Sequence, residues 1–378
     1  MDKPYLSAYA TRNSAKEELR RSLGTTIDYR LTPFDLLSFG LQAYTFSTFI
    51  NHSQVAFNVG RVLPGNFSPT FTRGDTGAGD LTLTSNGNVR RNWSYTPTLV
   101  WRHDGPTWKA DAGVALSRAR NRTTNLQEGF MQLTSSRRTG VTVSFDDNFY
   151  LRPGRITVTD GASGAPVDPF MLSTYALATT RGAEASTDDT KRTAYASLRR
   201  DFNWRVPVTL KGGLDVRINS RENRGLTPTY SVVGADGLTS TSPLTGDNQA
   251  APFIDPVYSQ RVAGYGFPAI QTVWNEMLYQ HVLANPTHYT LDANAAYRSE
   301  VNASKWSEEM ISAAYLRGDV SLLNNRLKLV GGLRGEQTNI EAEGPLSDPT
   351  RNSAVTPQAR SSRSPAPSPP IPTAVCPS

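Results

Sequence analysis

Cysteine is almost missing from this chain. Cys376 is the only one among 378 residues, which excludes a disulfide framework and a cysteine-based zinc module. Long apolar runs are missing too: no stretch of about 20 such residues exists, so a polytopic helical membrane protein is excluded. Charge of one sign is in short excess. Lys+Arg number 39 against 33 Asp+Glu, a net of +6 with no block of like charge, so nucleic acid is not an expected partner. The first apolar stretch, Tyr5 to Ala10, is short and follows Asp2, and reads as no signal peptide. Catalytic patterns are absent. His52, His103, His281 and His288 have no metal-ligand spacing, with His281 and His288 expected at the surface. No G-x-S-x-G elbow, Walker A loop or dinucleotide fingerprint occurs. Asp146-Asp147 and Asp188-Asp189 read as solvated acid pairs, and Arg73-Gly74-Asp75 and Arg317-Gly318-Asp319 as chance tripeptides. The expectation is a protein that is not an enzyme and holds no cofactor or metal.

What is present is alternation. From Val208 to Asn219, Val208, Leu210, Leu214, Val216 and Ile218 share one parity, while Thr209, Lys211, Asp215, Arg217 and Asn219 share the other. A period of two marks a strand with one apolar and one wet face. Thr107–Ala119 and Arg326–Thr338 repeat the pattern. Ser14-Ala15-Lys16-Glu17 resembles a helix capping box. Against it, Leu19, Leu23, Ile27, Tyr29 and Leu31 keep strand parity, so a strand is expected over Glu18–Leu31.

Four hairpins follow, each with a tip of a few residues. Thr32–Asp35 joins Glu18–Leu31 to Leu36–Phe46, and Asp104-Gly105-Pro106 joins Asn92–His103 to Thr107–Ala119. Phe202–Pro207 joins Arg192–Asp201 to Val208–Asn219, and Leu323-Asn324-Asn325 joins Ser312–Leu322 to Arg326–Thr338. Between hairpins the connections are long: Ser47–Arg91, Arg120–Lys191 and Ser220–Ile311. Short turns on one side and long connections on the other are the pattern of an outer-membrane β-barrel. A soluble β-sandwich would instead show turn signals every 8–12 residues or so. Phe34, Trp101, Trp108 and Trp204 flank or sit in the short turns, where an aromatic girdle belongs. The fold class is therefore all-β: an open segment of a larger antiparallel transmembrane barrel with long extracellular loops. Within those loops, Arg155–Asp168 reads as a small hairpin. Ile270, Val273, Trp274, Met277 and Leu278 read as an amphipathic helix.

The polar faces carry the candidate site. Lys109, Asp111, Lys211, Asp215, Arg217, Arg334 and Glu336 are too many charges for a dry core, since unpaired burial costs several kcal/mol for each. They are expected to line a wet lumen and to face a ligand or a polar plug.

Ala314-Tyr315-Leu316-Arg317-Gly318-Asp319, the turn, and Asn325-Arg326-Leu327-Lys328-Leu329-Val330-Gly331-Gly332-Leu333-Arg334-Gly335-Glu336 resemble a barrel hairpin of TonB-dependent outer-membrane receptors. Arg199-Arg200-Asp201-Phe202 followed by Val208-Thr209-Leu210-Lys211-Gly212-Gly213-Leu214-Asp215 is similar to another, and Tyr150–Arg155 looks like part of an extracellular loop. The likeness covers residues 1–352. It implies a 22-stranded barrel in the cell outer membrane, an N-terminal plug domain, the TonB complex and membrane lipid as partners, and a siderophore, cobalamin or glycan as cargo. The plug, the TonB box and a terminal strand ending in an aromatic have no counterpart in these 378 residues, so the expectation is a fragment of such a receptor. Residues 353–378, rich in Pro and Ser, read as a disordered or out-of-frame tail. The alternative is a complete surface or secreted β-protein that recognises a glycan or partner through its loops. A third reading is a small self-sufficient barrel with hydrolase activity.

Overall fold

The computed structural model describes residues 5–345 except Ala263, Tyr265 and Asn325. The expected tail, 353–378, and the expected boundary at 352 lie outside the described residues. Fourteen strands form one antiparallel sheet. In chain order they are β1 (Ala8–Arg30), β2 (Asp35–Asn58), β3 (Thr72–Arg73), β4 (Gly79–Asp104), β5 (Trp108–Thr124), β6 (Leu133–Asp146) and β7 (Arg155–Asp160). There follow β8 (Ala176–Arg181), β9 (Glu184–Asn203), β10 (Pro207–Leu226), β11 (Thr229–Val232), β12 (Tyr289–Leu291), β13 (Lys305–Leu322) and β14 (Leu327–Glu343). Two α-helices, α1 (Asn275–Ala284) and α2 (Ala293–Ala303), lie between β11 and β13.

Eight long strands make a wall in the order β1-β2-β4-β5-β9-β10-β13-β14, and the sheet curls as part of a barrel does. All four expected hairpins are present, as β1–β2, β4–β5, β9–β10 and β13–β14. Ser14–Glu17 lies inside β1, opposite Asn51 and Ile50 among others, so the strand pattern prevails over the capping-box signal. Among the described residues β1 pairs only with β2 and β14 only with β13, so the wall they form has two open edges.

The strands outrun their expected ends. β2 continues past Phe46 to Asn58, β4 starts at Gly79 rather than Asn92, and β9 starts at Glu184 rather than Arg192. The connections are correspondingly shorter than expected. In these extensions Thr, Ser, Asn and Gln occupy both faces, as in Thr48–Gln54 of β2, and alternation fades although backbone pairing continues.

Above the wall the sheet branches. β4 pairs with β5 over Arg90–Asp104, and its earlier half pairs with β6 over Gly79–Asn86. From β6 the branch runs to β8, β11 and β12, with β3 and β7 on the side of β6. This cap encloses the core of the molecule: Val55, Phe57, Val59, Leu81, Leu83, Val141, Val143, Phe145, Leu172, Tyr175, Ile270 and Leu278 are fully buried. The expected Arg155–Asp168 hairpin is found, since β7 is closed by Asp160 N–H to Ala165 O (2.8 Å) and Val167 N–H to Val158 O (3.0 Å).

The expected amphipathic helix is displaced. α1 begins at Asn275, and Ile270 and Val273 lie in the extended segment before it. There Val273 N–H and the Thr272 hydroxyl both donate to Ser85 Oγ at 2.8 Å, and Gln271 N–H donates to Phe170 O at 3.0 Å. Bonds to the sheet occupy the backbone that a helix would have used.

Candidate functional site

Register places side chains of one parity in lateral rows. Lys109 pairs with Arg199, Arg199 with Lys211 and Lys211 with Arg317, one row across four strands. The neighbouring row holds Asp111, Ser197, Gly213, Tyr315 and Arg334. A third holds Gly113, Tyr195, Asp215, Ala313 and Glu336. Arg217 stands in the next row, beside Thr193 and Ile311. All seven candidate residues therefore share one face of the wall.

Their contacts explain how the face tolerates its charge. Opposed cations such as Arg199, Lys211 and Arg317 repel. Acids two residues along the same strands offset this: Arg199 binds Asp201 at 2.9 Å, Arg317 binds Asp319 at 2.8 Å and Arg217 binds Asp215 at 2.8 Å. Arg334 binds Glu336 at 2.7 Å in the same spacing. Lys109 reaches across the turn to Asp104 at 2.5 Å, while Ser197 donates to Asp111. Lys211 has no ion-pair partner among the described residues. Each exposed pair is worth only about 0.2–1 kcal/mol, so these links orient side chains more than they stabilise the fold.

Two tyrosines shape the surface. Tyr195 lies over Gly113 and Tyr315 over Gly213, where an added Cβ would sit 2.6 Å from the ring in each case. Glycine is needed at both places because the ring occupies the space of a side chain.

The opposite face is apolar. Tyr29, Leu37, Trp101, Ala112, Ala196, Leu214 and Ala314 form one continuous row across seven strands. Leu210, Leu214, Val216 and Leu333 were expected to face away from any core, and no core covers them: Leu214 is 63% and Leu333 85% exposed. Toward the short turns, Arg200 stacks on Trp108 (4.6 Å) and Phe202 (4.8 Å). Toward the cap, Trp93 stacks on Tyr95 at 5.7 Å, and Arg118 and Arg120 each lie 5.8 Å from the Trp93 ring. Phe34 and Trp204 are exposed in their turns, while Trp101 donates to Asp35 at 3.1 Å.

Sequence reading missed Arg199, Asp201, Arg317, Asp319, Tyr195 and Tyr315 as members of the polar face. Strand parity on β9 and β13 was the available signal. Three of the four acids in these pairs are held by arginines: Asp146 by Arg155 (3.1 Å), Asp188 by Arg120 (2.5 Å) and Asp189 by Arg221 (2.7 Å). No group of three or more potential metal ligands occurs among the described residues. His281 is half-buried rather than at the surface, with its Nδ1 2.7 Å from the Tyr289 hydroxyl, and its pKa falls below the usual value through burial and then His288. Burial raises the Tyr289 phenol well above its ordinary range.

No helix among the described residues is long and apolar enough to cross a membrane. No protein-family model, curated protein or solved structure matches the chain.

Proposed function

We propose that this chain forms part of the wall and the extracellular cap of an outer-membrane β-barrel of the TonB-dependent receptor class. The whole receptor imports a scarce ligand, a siderophore, cobalamin or glycan, past a plug domain and with energy from the TonB complex. The observation that carries the reading is the uncovered apolar band running across the wall opposite a charged face. Ten residues separate Trp108 from Arg118 on β5. At about 3.3 Å per residue and a tilt of about 40°, that spacing spans about 25 Å, the height of a lipid-facing band. The open edges of β1 and β14 leave backbone groups that further strands would satisfy, as a spanning sheet requires. In this reading Lys109, Asp111, Lys211, Asp215, Arg217, Arg334 and Glu336 face the lumen and its plug. No residue is assigned to catalysis.

The test places a fluorophore on single cysteines in a Cys376→Ser background, in protein refolded into vesicles. Leu214→Cys and Val114→Cys should be quenched by brominated acyl chains, and Lys211→Cys should not. Equal quenching at all three positions would overturn the assignment.

A further inference from the structure

The two open edges of the wall match each other. Among the described residues β1 and β14 each pair on one side only, and every residue of β14 is exposed. Their outer sides keep unpaired backbone N–H and C=O groups, which only another strand can complete in a spanning sheet. β1 runs from the cap toward the short turns, and β14 from the turns toward the cap. When two copies stand upright side by side, β14 of one and β1 of the other are therefore antiparallel.

One register suits this joint. Leu19, Leu23, Ile27 and Tyr29 of β1 and Leu327, Leu329 and Leu333 of β14 belong to the apolar face, so they must stay on one side. Leu327 opposite Tyr29 levels the short-turn ends of the two strands. Leu329 then faces Ile27, Leu333 faces Leu23, Lys328 faces Asp28 and Glu336 faces Arg20. A slip of two residues one way sets Arg334 against Arg20 and Glu336 against Glu18. The opposite slip sets Lys328 against Arg30 and Glu341 against Glu17. Like charges directly opposed are destabilising, so both slips are disfavoured. Within the chain Arg20 already binds Glu18, and Arg334 binds Glu336. The joint links these pairs as Glu18–Arg20–Glu336–Arg334, alternating in sign.

The same register gives a sound slope. The row of paired residues that starts at Tyr29 reaches Gly335 on β14. Gly335 would face Arg21 of the second copy, an offset of eight residues from Tyr29 over the eight wall strands. At about 3.3 Å per residue and about 4.8 Å between strands, the tilt is about 35°, as in closed barrels. One copy curls as half a barrel does. A barrel of about eight strands is filled by side chains, whereas one of about sixteen holds the water that Lys211, Asp215 and Arg217 require. We propose that two copies of this chain, related by a two-fold axis, close one sixteen-stranded barrel through two identical β14–β1 joints. The assembly concerns the chain's own edges and does not depend on its acting as an importer.

The test uses the full chain with Cys376→Ser, refolded in detergent. Chains carrying Thr25→Cys are mixed with chains carrying Gly331→Cys before refolding, and then oxidised. These positions face each other across the joint, and no atom lies within 4 Å of a Cβ built at Gly331. The mixture should give a disulfide-linked dimer, and either population alone far less. Sedimentation should give twice the 41.3 kDa of one chain. Lys328→Glu should raise the dimer dissociation constant about fivefold, because the change falls at both joints. Adding Asp28→Lys should restore it, which separates the contact from a folding defect. A mass of one chain, with a disulfide inside the Thr25→Cys, Gly331→Cys double variant, would mean that eight strands close on themselves and overturn the proposal. Open-ended polymers, or no disulfide in the mixture, would overturn it as well.

Discussion

Phe39 and Phe57 stand on the same strand, β2, and on the same face of the same sheet, yet one is 39% exposed and the other is fully buried. On β4, Leu99 (41% exposed) and Leu83 (fully buried) make the same contrast. Strand parity therefore does not determine what covers an apolar face; the long connections do. In the cap, the segment around Ile270–Leu278 and the turn around Leu172–Tyr175 fold back over the sheet and close a core. Along the wall the connections are turns of a few residues, too short to fold over anything, and the band stays open. Between the two regions β2 carries Thr45, Ser47, Asn51 and Ser53 on that face, with Phe49 among them packed against Phe130 and Tyr258.

The largest effect that would sharpen this contrast is in the core. Phe57→Ala should destabilise the cap by about 3–5 kcal/mol, whereas Phe39→Ala should cost under about 1 kcal/mol in detergent. Urea unfolding followed by tryptophan fluorescence checks both, and equal losses would break the distinction. Next, Leu214→Arg should lower stability in bilayers by about 2–4 kcal/mol, as at a lipid-facing midplane position. The same change should be nearly silent if the band faces water.

A smaller gain is expected at the Phe149–Arg152 turn. Tyr150 (φ 48°) and Leu151 (φ 61°) both occupy the left-handed region, and their side chains are almost fully exposed. The double variant Tyr150→Asn, Leu151→Gly should raise the melting temperature, by relief of about 1–2 kcal/mol per residue. No gain would mean that loss of the Phe149–Tyr150 ring contact, at 4.4 Å, offsets the relief.

The smallest effect concerns pH. His281 is held below its ordinary pKa by burial and by His288, and His52 by burial and by Arg12. As pH falls through about 6.5, the unfolded chain takes up these protons before the folded one. The contribution of the neutral rings is thus complete above that value and declines below it. Acid-depressed carboxylates in the cap, Asp75 beside Arg61 and Asp160 bound by Ser163, lose their contribution only at lower pH. Cap melting should therefore fall slightly from about pH 7.5 to about pH 5.5, and less so in His281→Phe.

Much of the wall was legible because its strands alternate cleanly between apolar and polar residues. Leu210, Leu214 and Val216 against Lys211, Asp215 and Arg217 define β10 without further information. The branch was not read. Val141, Val143 and Phe145 alternate visibly on β6, but Thr and Ser elsewhere on the strand blur its start, and β8, β11 and β12 are 6, 4 and 3 residues long. α2 was missed although Asp292 caps it, accepting from Ala295 N–H at 2.9 Å, ahead of an alanine-rich first turn. Two cavities beside α2 arise from residues spread from Arg122 to Pro345, and no local pattern brings these together.

The most direct test of the central claim is a spin-label scan along one face of β4. Labels at Leu99, Tyr95, Arg91 and Leu83 are compared in vesicles for collisions with oxygen, which concentrates in lipid, and with a water-soluble nickel chelate. Leu99 should favour oxygen, Tyr95 should mark the crossover, Arg91 should favour nickel, and Leu83 should be shielded from both. A Leu99 label as open to nickel as one at Lys211 would contradict the account.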